Sequence, residues 1–255
     1  MSTPTIEQIQ KHASVRHYKP DPLDPDLVRT IVAAGQRAAT SSNLQLYSAV
    51  VVTDEKKRTR LAKACGDQQS ILEAPVFVTW CADWSRIERI SRARGYDLNS
   101  DYLESFLVAA VDVAILMQTA TLAAESLGLG ACYIGAIRNR PQTVIELLDL
   151  PRLTFPIAGM TLGWPAGSTR LRPRLPTEVI LHWERYDPHG EGPHLKRFDQ
   201  AMIDSGIYQG RQVPVPGQPQ NVEDYGWQEH SARRGSKAVR VELRKVVEQQ
   251  GFGLK

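Results

Sequence analysis

Cysteine is scarce in this sequence, and the few cysteines are poorly placed for holding a small fold together. The 255 residues include three of them, Cys65, Cys81 and Cys132. They are odd in number and far apart, and none belongs to a CxxC pair or to a cysteine–histidine spacing that zinc ligands use. The sequence therefore predicts neither a disulfide framework nor a metal site, and it favours a reducing, cytoplasmic location.

A strong net charge is also missing. The chain has 31 Lys and Arg residues against 28 Asp and Glu residues, which gives a net charge of +3. This excess is too small to indicate a nucleic-acid or membrane partner. The N-terminus carries no apolar segment of the kind found in signal peptides. Because 42% of the residues are hydrophobic, we expect a soluble globular protein with a full core.

No uncharged apolar run is long enough to predict a membrane span. The most apolar stretch extends from Tyr102 to Leu127 and is interrupted by Glu104, Asp112 and Glu125, so it never reaches about 18 uncharged apolar residues. Its apolar residues fall on every side of a helix rather than in one stripe. We therefore expect a helix that is enclosed in the core of the protein.

The chain lacks both common glycine motifs for binding nucleotide phosphates. No GxxxxGK[ST] motif occurs, and the glycines at 128, 130 and 135 follow a helix and precede a strand, whereas a dinucleotide-binding loop needs the strand first. Instead, Gly128 is placed to end the long helix in the left-handed conformation, and Gly130 lets another segment approach closely. A flat cofactor lying against the backbone of 133–136 is one interpretation, and a simple connection from helix to strand is the other.

Three polar segments have the composition of sites for an anion or a polar ligand. They are HASVRHY at 12–18, TSSNLQ at 40–45 and RLRPR at 170–174. The first combines a hydroxyl group with cations, which suits phosphate oxygens. The last places three arginines within five residues, which costs repulsion unless an anion lies there. From the residues alone, each segment can also be a solvated turn or loop.

Local signals predict the order of the elements. Helices are expected at 1–11, from Asp24-Pro25 to Ala39, from Asp54 to Cys65, and at 141–150, 194–208 and 231–249; strands are expected at 49–53, 75–82 and 155–164. The segment VPVPGQP at 213–219 is expected to be a stiff extended loop. The helix at 231–249 is basic with one apolar face, which favours docking on protein over binding nucleic acid. We expect one domain at 1–190 and a C-terminal extension at 191–255.

Taken together, several of these segments resemble the nitroreductase family. They are HASVRHY, ATSSNLQ (39–45), CADWSR (81–86) and AAESLGLGACYIGAIRN (123–139), followed by LGWPAGSTRLRPRLP (162–176). The resemblance covers residues 4–186 and points to the branch of NADPH-dependent FMN flavin reductases and oxygen-insensitive nitroreductases. It implies an α+β fold in which a central, mostly antiparallel sheet is flanked by helices. It also implies an interlocked homodimer with FMN at the interface, in which the helix at 231–249 embraces the other chain.

The resemblance further implies which residues hold FMN. His12 and Ser14 would meet the phosphate, and Arg16 and Gln68 would meet the pyrimidine part of the flavin. The remaining members are Thr40, Ser42 and Asn43, supplied by the partner subunit, the backbone of Ile134, Gly135 and Ala136 facing N5, and Arg172 and Arg174 at the phosphate. Many relatives carry arginine directly before the serine of the first motif. Here that residue is Ala13, so one cation is missing near the phosphate.

The implied function is the reduction of nitroaromatics, quinones or free flavin by NAD(P)H in a ping-pong reaction. The flavin carries the chemistry, so no catalytic side chain is required. NADPH is the expected donor, with Arg211, which follows Gly210, as the candidate contact for its 2′-phosphate; an ordinary exposed arginine is the alternative there. Two other hypotheses stay open, a flavin-binding relative without reductase activity and a nucleic-acid-binding module that uses residues 233–245.

Overall fold

The computed structural model describes residues 2–208 and 210–255, and the chain divides into two compact units. The first unit holds the chain up to Thr169 and again from Arg240 to Lys255, whereas the second holds Arg170 to Val239. The predicted division between 190 and 191 therefore falls inside the second unit. The functional division into a flavin-binding domain and an extension that packs on the dimer stays a prediction.

In the first unit, one or two helices precede each strand of the sheet. The helices are α1 (Pro4–Gln10), α2 (Pro25–Gly35), α3 (Glu55–Ala64), α4 (Gln69–Glu73), α5 (Ser85–Ala93), α6 (Leu103–Ser126), α7 (Pro141–Leu147), α8 (Thr177–Ile180), α9 (Glu191–Asp204), α10 (Trp227–Gly235) and α11 (Leu243–Gln249). The strands are β1 (Tyr47–Val52), β2 (Val76–Asp83), β3 (Gly130–Ile134), β4 (Thr154–Gly163), β5 (Gln212–Val215) and β6 (Gln218–Asp224). Met1, within the first predicted helix, lies outside the described residues.

The predicted helix starts are confirmed by their caps. The Asp24 carboxylate accepts a hydrogen bond from the backbone N–H of Asp26 at 2.8 Å, and the Asp54 carboxylate accepts one from the N–H of Lys57 at 2.8 Å. Each cap satisfies a donor that the first helical turn leaves without a partner. The helix α2 ends at Gly35, earlier than the predicted Ala39.

The first unit is built on one antiparallel sheet with the strand order β1-β2-β4-β3. Every residue of β2 is buried, because this central strand is covered on both faces, and its sequence is accordingly apolar without alternation. One face packs with α2 and α6 in one hydrophobic cluster, and the other packs with α3 and α7 in a second cluster. The predicted α+β fold, a largely antiparallel sheet flanked by helices, is confirmed.

The long helix α6 contributes only one face to the core of its own chain. Ala109, Val113 and Leu116 are almost completely buried. On another face, four aliphatic residues at intervals of four keep 41–52% of their surface exposed, and they are Leu103, Leu107, Val111 and Ile115. The expectation of a helix enclosed on every side is therefore wrong for the single chain, because no described element covers this second face. By length and composition alone, α6 could also span a membrane.

The C-terminal part of the chain differs from its prediction in two places. The expected helix at 231–249 is two helices, α10 and α11, and Arg240 between them has a left-handed backbone with φ 55°. Val246 and Val247 of α11 are buried in a cluster of their own first unit, and the predicted contact of this segment with a second chain stays a prediction. The expected loop at 213–219 is the β5–β6 hairpin, which turns at Gly217 with φ 77°.

Asp83 is a buried carboxylate that joins three elements at the end of β2. It is 5% exposed and accepts hydrogen bonds from the N–H of Ser85 at 2.9 Å, from the Ser48 hydroxyl at 2.5 Å and from the Thr154 hydroxyl at 3.2 Å. Burial works to raise the pKa of the Asp83 carboxyl, but the hydrogen bonds from Ser48 and Ser85 and the charge of Arg86 outweigh it and hold the pKa below its ordinary value.

Replacing Asp83 by Asn should destabilise the protein by about 3 kcal/mol near neutral pH, because the charged acceptor of several buried donors is lost. A carboxyl whose pKa is lowered by folding stabilises the native state above its unfolded pKa, near 4, and loses this effect as the pH falls through the folded value. The difference between wild type and Asp83→Asn in urea unfolding should therefore shrink from pH 6 towards pH 3. Asp26→Asn, in an exposed pair with Arg29, is the control and should change stability by less than about 1 kcal/mol. A pH-independent difference for Asp83→Asn would contradict the assignment.

Candidate flavin site

The segment at 12–18 is held along β3, the strand at one edge of the sheet. The backbone N–H of Val15 donates to the carbonyl of Ala131 at 2.9 Å. The buried Tyr18 hydroxyl donates to the carbonyl of Val15 at 2.6 Å and lies 2.7 Å from the Thr161 hydroxyl. Burial raises the pKa of Tyr18 well above its ordinary value, so this hydroxyl remains a neutral hydrogen-bonding group.

Gly130 permits the close approach of this segment. A Cβ atom added at Gly130 would lie 2.4 Å from Cγ2 of Val15, a separation that no side chain tolerates. The prediction that Gly130 lets another segment come close is confirmed, and so is the left-handed turn at Gly128, whose φ is 82°. Val15 is buried, whereas Ser14 and Arg16 on either side of it are exposed, as expected for an extended segment with one face on the sheet.

His12 is fixed by a carboxylate from the end of α6. Its Nδ1 lies 2.6 Å from Oε1 of Glu125, whose side chain is 10% exposed. The other carboxylate oxygen, Oε2, is buried without a hydrogen-bond partner among the described residues. With Nδ1 engaged by Glu125, Nε2 of His12 is left for a further ligand. An imidazole, a hydroxyl and a guanidinium group thus follow one another along one segment, a donor set that suits a phosphate and a polar ring edge.

The strand β3 leads directly into a short 3₁₀ turn, Gly135–Asn139. Ile134 is buried, and Gly135 and Ala136 are half-buried. The turn before α4 lies close by, because a Cβ atom on Gly66 would be 3.7 Å from Nδ2 of Asn139. Gln68 is exposed at the start of α4. The strand β3 thus links three parts of the predicted site. The first segment lies along it, the backbone of 134–136 continues from it, and the turn that carries Gln68 lies next to the end of that backbone.

The loop at 40–45 has a strained backbone. Ser42, Asn43 and Gln45 have left-handed φ angles of 49°, 55° and 53°, which residues other than glycine adopt at a cost. No described hydrogen bond or ion pair joins this loop to the segment at 12–18 or to the turn at Gly135. Within the single chain, Thr40, Ser42 and Asn43 are therefore not brought together with the other predicted site residues.

Asp112 of α6 holds both ends of this loop. Its carboxylate, 1% exposed, accepts the N–H of Ser41 at 2.9 Å and the N–H of Leu46 at 3.3 Å. A buried charge needs such donors. The sequence does contain a signal for this role, because a carboxylate in the middle of an apolar helix must accept hydrogen bonds from some other part of the chain.

The remaining predicted residues belong to the second unit. Arg172 and Arg174 are exposed, and neither has a carboxylate within ion-pair distance among the residues that the structure describes. Arg211 precedes β5, and its guanidinium carbon lies 6.0 Å from the ring centre of Tyr225. Gln209, in the turn where Arg211 was predicted to lie, is outside the described residues.

Comparison with known proteins decides the family. A model described as "Nitroreductase family" matches residues 9–164, and one described as "Nitroreductase family, C-terminal domain" matches residues 172–255. The chain belongs to the nitroreductase family. The family predicted from the motifs is thereby confirmed.

Relatives of this nitroreductase match almost its entire length. A Bacillus subtilis protein named FMN reductase [NAD(P)H] is 35% identical over 251 residues, 97% of each chain. The oxygen-insensitive NADPH nitroreductase of Salmonella typhimurium is 35% identical over 250 residues, 98% of each chain. Among solved structures, B. megaterium NfrA2 superposes with a TM-score of 0.91 at 33% identity and full coverage of both chains. The NADPH:FMN oxidoreductase of Vibrio harveyi complexed with NAD+ has a TM-score of 0.86 at 32% identity, over 98% of this chain and 99% of the other.

Two arginines near Gly135 in this nitroreductase were not predicted from the sequence. A Cβ atom on Gly135 would lie 3.6 Å from a terminal nitrogen of Arg138 and 4.0 Å from one of Arg240. Arg138 could have been noticed as a charge in the turn after β3. Arg240 gave no local signal, because it lies about a hundred residues further along the chain.

Proposed function

We propose that this nitroreductase is an FMN-dependent NAD(P)H oxidoreductase that reduces nitroaromatics, quinones or free flavin, with donor and acceptor using one slot in turn. The observation that carries the proposal is the seating of the segment at 12–18 on β3, which aligns His12, Ser14 and Arg16 with the backbone leading to Gly135. The names of the full-length relatives, an FMN reductase and an NADPH nitroreductase, support it.

The polar groups of the candidate site have the chemistry that the phosphate and the ring of FMN require. His12, oriented by Glu125, and Ser14 would hold the phosphate, and Gln68 would bind the pyrimidine carbonyl groups. Ile134 to Ala136 present backbone with few large side chains, which lets a flat ring lie close. The roles of Arg172 and Arg174 at the phosphate stay predictions from the resemblance.

When bound, FMN supplies hydride acceptance and onward electron transfer, so the protein must hold it, tune it and leave one face open. Arg16 would do the tuning. Its guanidinium is exposed and has no carboxylate within ion-pair distance among the described residues, so its charge is available to the pyrimidine edge of the flavin. A fixed positive charge there favours the electron-rich reduced form. Cys65 and Cys81 offer no rival chemistry, because burial raises the pKa of the Cys65 thiol to about 12 and also raises that of the Cys81 thiol.

The visible spectrum of the purified protein and its NADPH oxidation test the function together. We expect the absorbance bands of bound flavin, or their appearance after reconstitution with FMN, and NADPH consumption on addition of menadione or nitrofurazone. Bound flavin without NADPH consumption would favour the alternative, a flavin-binding relative that is not a reductase. A colourless protein that FMN cannot reconstitute would reject the proposal.

Arg16→Ala tests the tuning role, with Lys19→Ala, an exposed cation directly after the same segment, as the control. Loss of one charge-assisted contact should weaken FMN binding roughly tenfold to hundredfold and lower the flavin reduction potential. Lys19→Ala should change neither. Fluorescence titration of apoprotein with FMN and redox titration of the holoenzyme measure the two effects. An unchanged potential in Arg16→Ala would remove Arg16 from the flavin.

We also propose that the active form is a homodimer. The exposed aliphatic row of α6, from Leu103 to Ile115, is one continuous face of a helix, and such a face usually lies against a partner. The loop at 40–43 also supports a homodimer. Its backbone is strained and its polar side chains are exposed, but no described hydrogen bond joins it to the proposed flavin site of its own chain.

Leu107→Glu and Val111→Glu together should disrupt the dimer, because they would bury two unpaired charges on the proposed interface. Tyr96→Glu, at an exposed aromatic residue in a loop, is the control and should leave the dimer intact. Light scattering of the FMN-loaded proteins measures the mass, and flavin content is read from the same samples. A wild-type protein that is monomeric and saturated with FMN would contradict the proposal.

Arg211 is proposed to select NADPH over NADH. Together with neighbouring side chains it lines a cavity of about 500 Å³ in the second unit, and the cationic members are Arg211, Arg233, Arg234 and Lys237. Arg233 is paired with Glu229, whereas Arg211, Arg234 and Lys237 have no carboxylate within ion-pair distance among the described residues. An unneutralised cluster of this kind suits the dianionic 2′-phosphate that distinguishes NADPH.

Arg211→Ala should lower kcat/KM for NADPH roughly tenfold to hundredfold, as expected for the loss of a charge-assisted contact of about 1.5–3 kcal/mol. The value for NADH should stay nearly constant, because NADH lacks the 2′-phosphate. Arg185→Ala, at another exposed arginine of the same unit, is the control. Steady-state kinetics with both coenzymes measure the ratio, and an equal loss with both would exclude Arg211 from the phosphate contact.

A further inference from the structure

Two guanidinium groups meet at the half-buried glycine that follows β3. Terminal nitrogens of Arg138 and Arg240 lie within 4.0 Å of the point that a Cβ atom on Gly135 would occupy. Both side chains are half-buried. A pair of like charges this close is costly in a partly desolvated place, and burial together with the charge of Arg240 lowers the pKa of Arg138.

Each arginine is held by a neutral acceptor that leaves other donors available. Arg138 donates from Nη1 to the carbonyl of Ile157, so its other terminal nitrogen can turn to Gly135. Arg240 donates from Nε to Oδ1 of Asn139 at 3.1 Å, which leaves both of its terminal nitrogens. Its backbone has a left-handed φ of 55°. The two forks are therefore oriented before any ligand arrives.

No carboxylate neutralises this pair within the described part of the chain. Neither arginine has an acidic side chain within ion-pair distance, and the group that fixes Arg240 is an amide. Arginines that are fully buried are almost always paired, and a half-buried pair of like charges bears part of the same desolvation cost. An uncompensated pair of planar forks is instead the arrangement that binds the two oxygens of a carboxylate or a similar oxyanion.

We propose that Arg138 and Arg240 form a binding site for the carboxylate of an aromatic electron acceptor. The inference rests on the proposed function, because Gly135 belongs to the backbone against which the flavin would lie. An acceptor whose carboxylate is bound at Gly135 has its aromatic ring confined to the same small region. The enzyme would therefore prefer anionic nitroaromatics to neutral ones of the same shape.

The test compares 4-nitrobenzoate with 4-nitrobenzamide, which has nearly the same size and replaces the carboxylate by a neutral amide. Arg240→Gln is the main variant, because Arg240 supports no buried carbonyl, and Arg240→Lys keeps the charge without the fork. Arg140→Gln, at an exposed arginine nearby in the chain, is the matched control. Calorimetric titration of the FMN-loaded enzyme in the absence of NADPH gives the dissociation constants, and steady-state kinetics give KM and kcat.

Arg240→Gln should weaken binding of 4-nitrobenzoate and raise its KM roughly tenfold or more, with 4-nitrobenzamide changed by less than about twofold. Arg240→Lys should fall between, and Arg140→Gln should match the wild type. Equal losses with both acceptors, or a loss of FMN affinity in Arg240→Gln, would overturn the proposal and assign the pair to the flavin itself. No change with either acceptor would overturn it as well.

Failure of the proposed function gives a different pattern. A protein that oxidises no NADPH with 4-nitrobenzamide or menadione is not a reductase, whatever its arginines bind. A protein that reduces 4-nitrobenzamide but shows no charge preference is a reductase without this site.

Discussion

The contact between Val15 and Gly130 is the constraint on which the candidate site depends. The side chain of Val15 occupies the space that a Cβ atom of Gly130 would need, and its N–H is bonded to Ala131. This contact seats the first segment on the sheet edge with alternate side chains directed away from it. The chain after β4 also holds this segment in place, because the N–H of Ala166 donates to the carbonyl of His17 at 3.0 Å. The polar groups that would hold the flavin are thus positioned by an apolar contact behind them.

Much of the fold could be predicted because its causes are local. The caps at Asp24 and Asp54, the buried strand β2 and the left-handed turn at Gly128 depend on residues within a few positions of each other. The family motifs extended this to the sheet and to a proposed set of flavin contacts. The helix α5 was not predicted, although the carboxylate of Asp83 just before it accepts the N–H of Ser85, a start signal that the sequence does contain.

The failures have non-local causes. A single helix at 231–249 was plausible from composition, but Arg240 is bonded to Asn139 and takes a left-handed backbone, which ends any continuous helix there. The sequence near Arg240 gives no indication of a hydrogen-bond partner about a hundred residues away. The same holds for Asp112, whose acceptor role depends on a loop some seventy residues earlier. Charged residues in apolar surroundings are visible in the sequence, but what they bind becomes visible only in the fold.

The helix α6 relates the two halves of the proposed flavin shell. Asp112 holds the loop at 40–45, and Glu125 holds His12. These two carboxylates are thirteen residues apart, and at a rise of about 1.5 Å per residue that separates them by about 20 Å along the helix. One chain therefore keeps its loop and its first segment far apart on a single rigid element. In the proposed homodimer, the loop would complete the flavin shell with the first segment of a second copy, whose α6 would meet the exposed aliphatic face of the first. The spacing of these two acids along one helix thus supports the proposal of a site shared between two chains over a site within one.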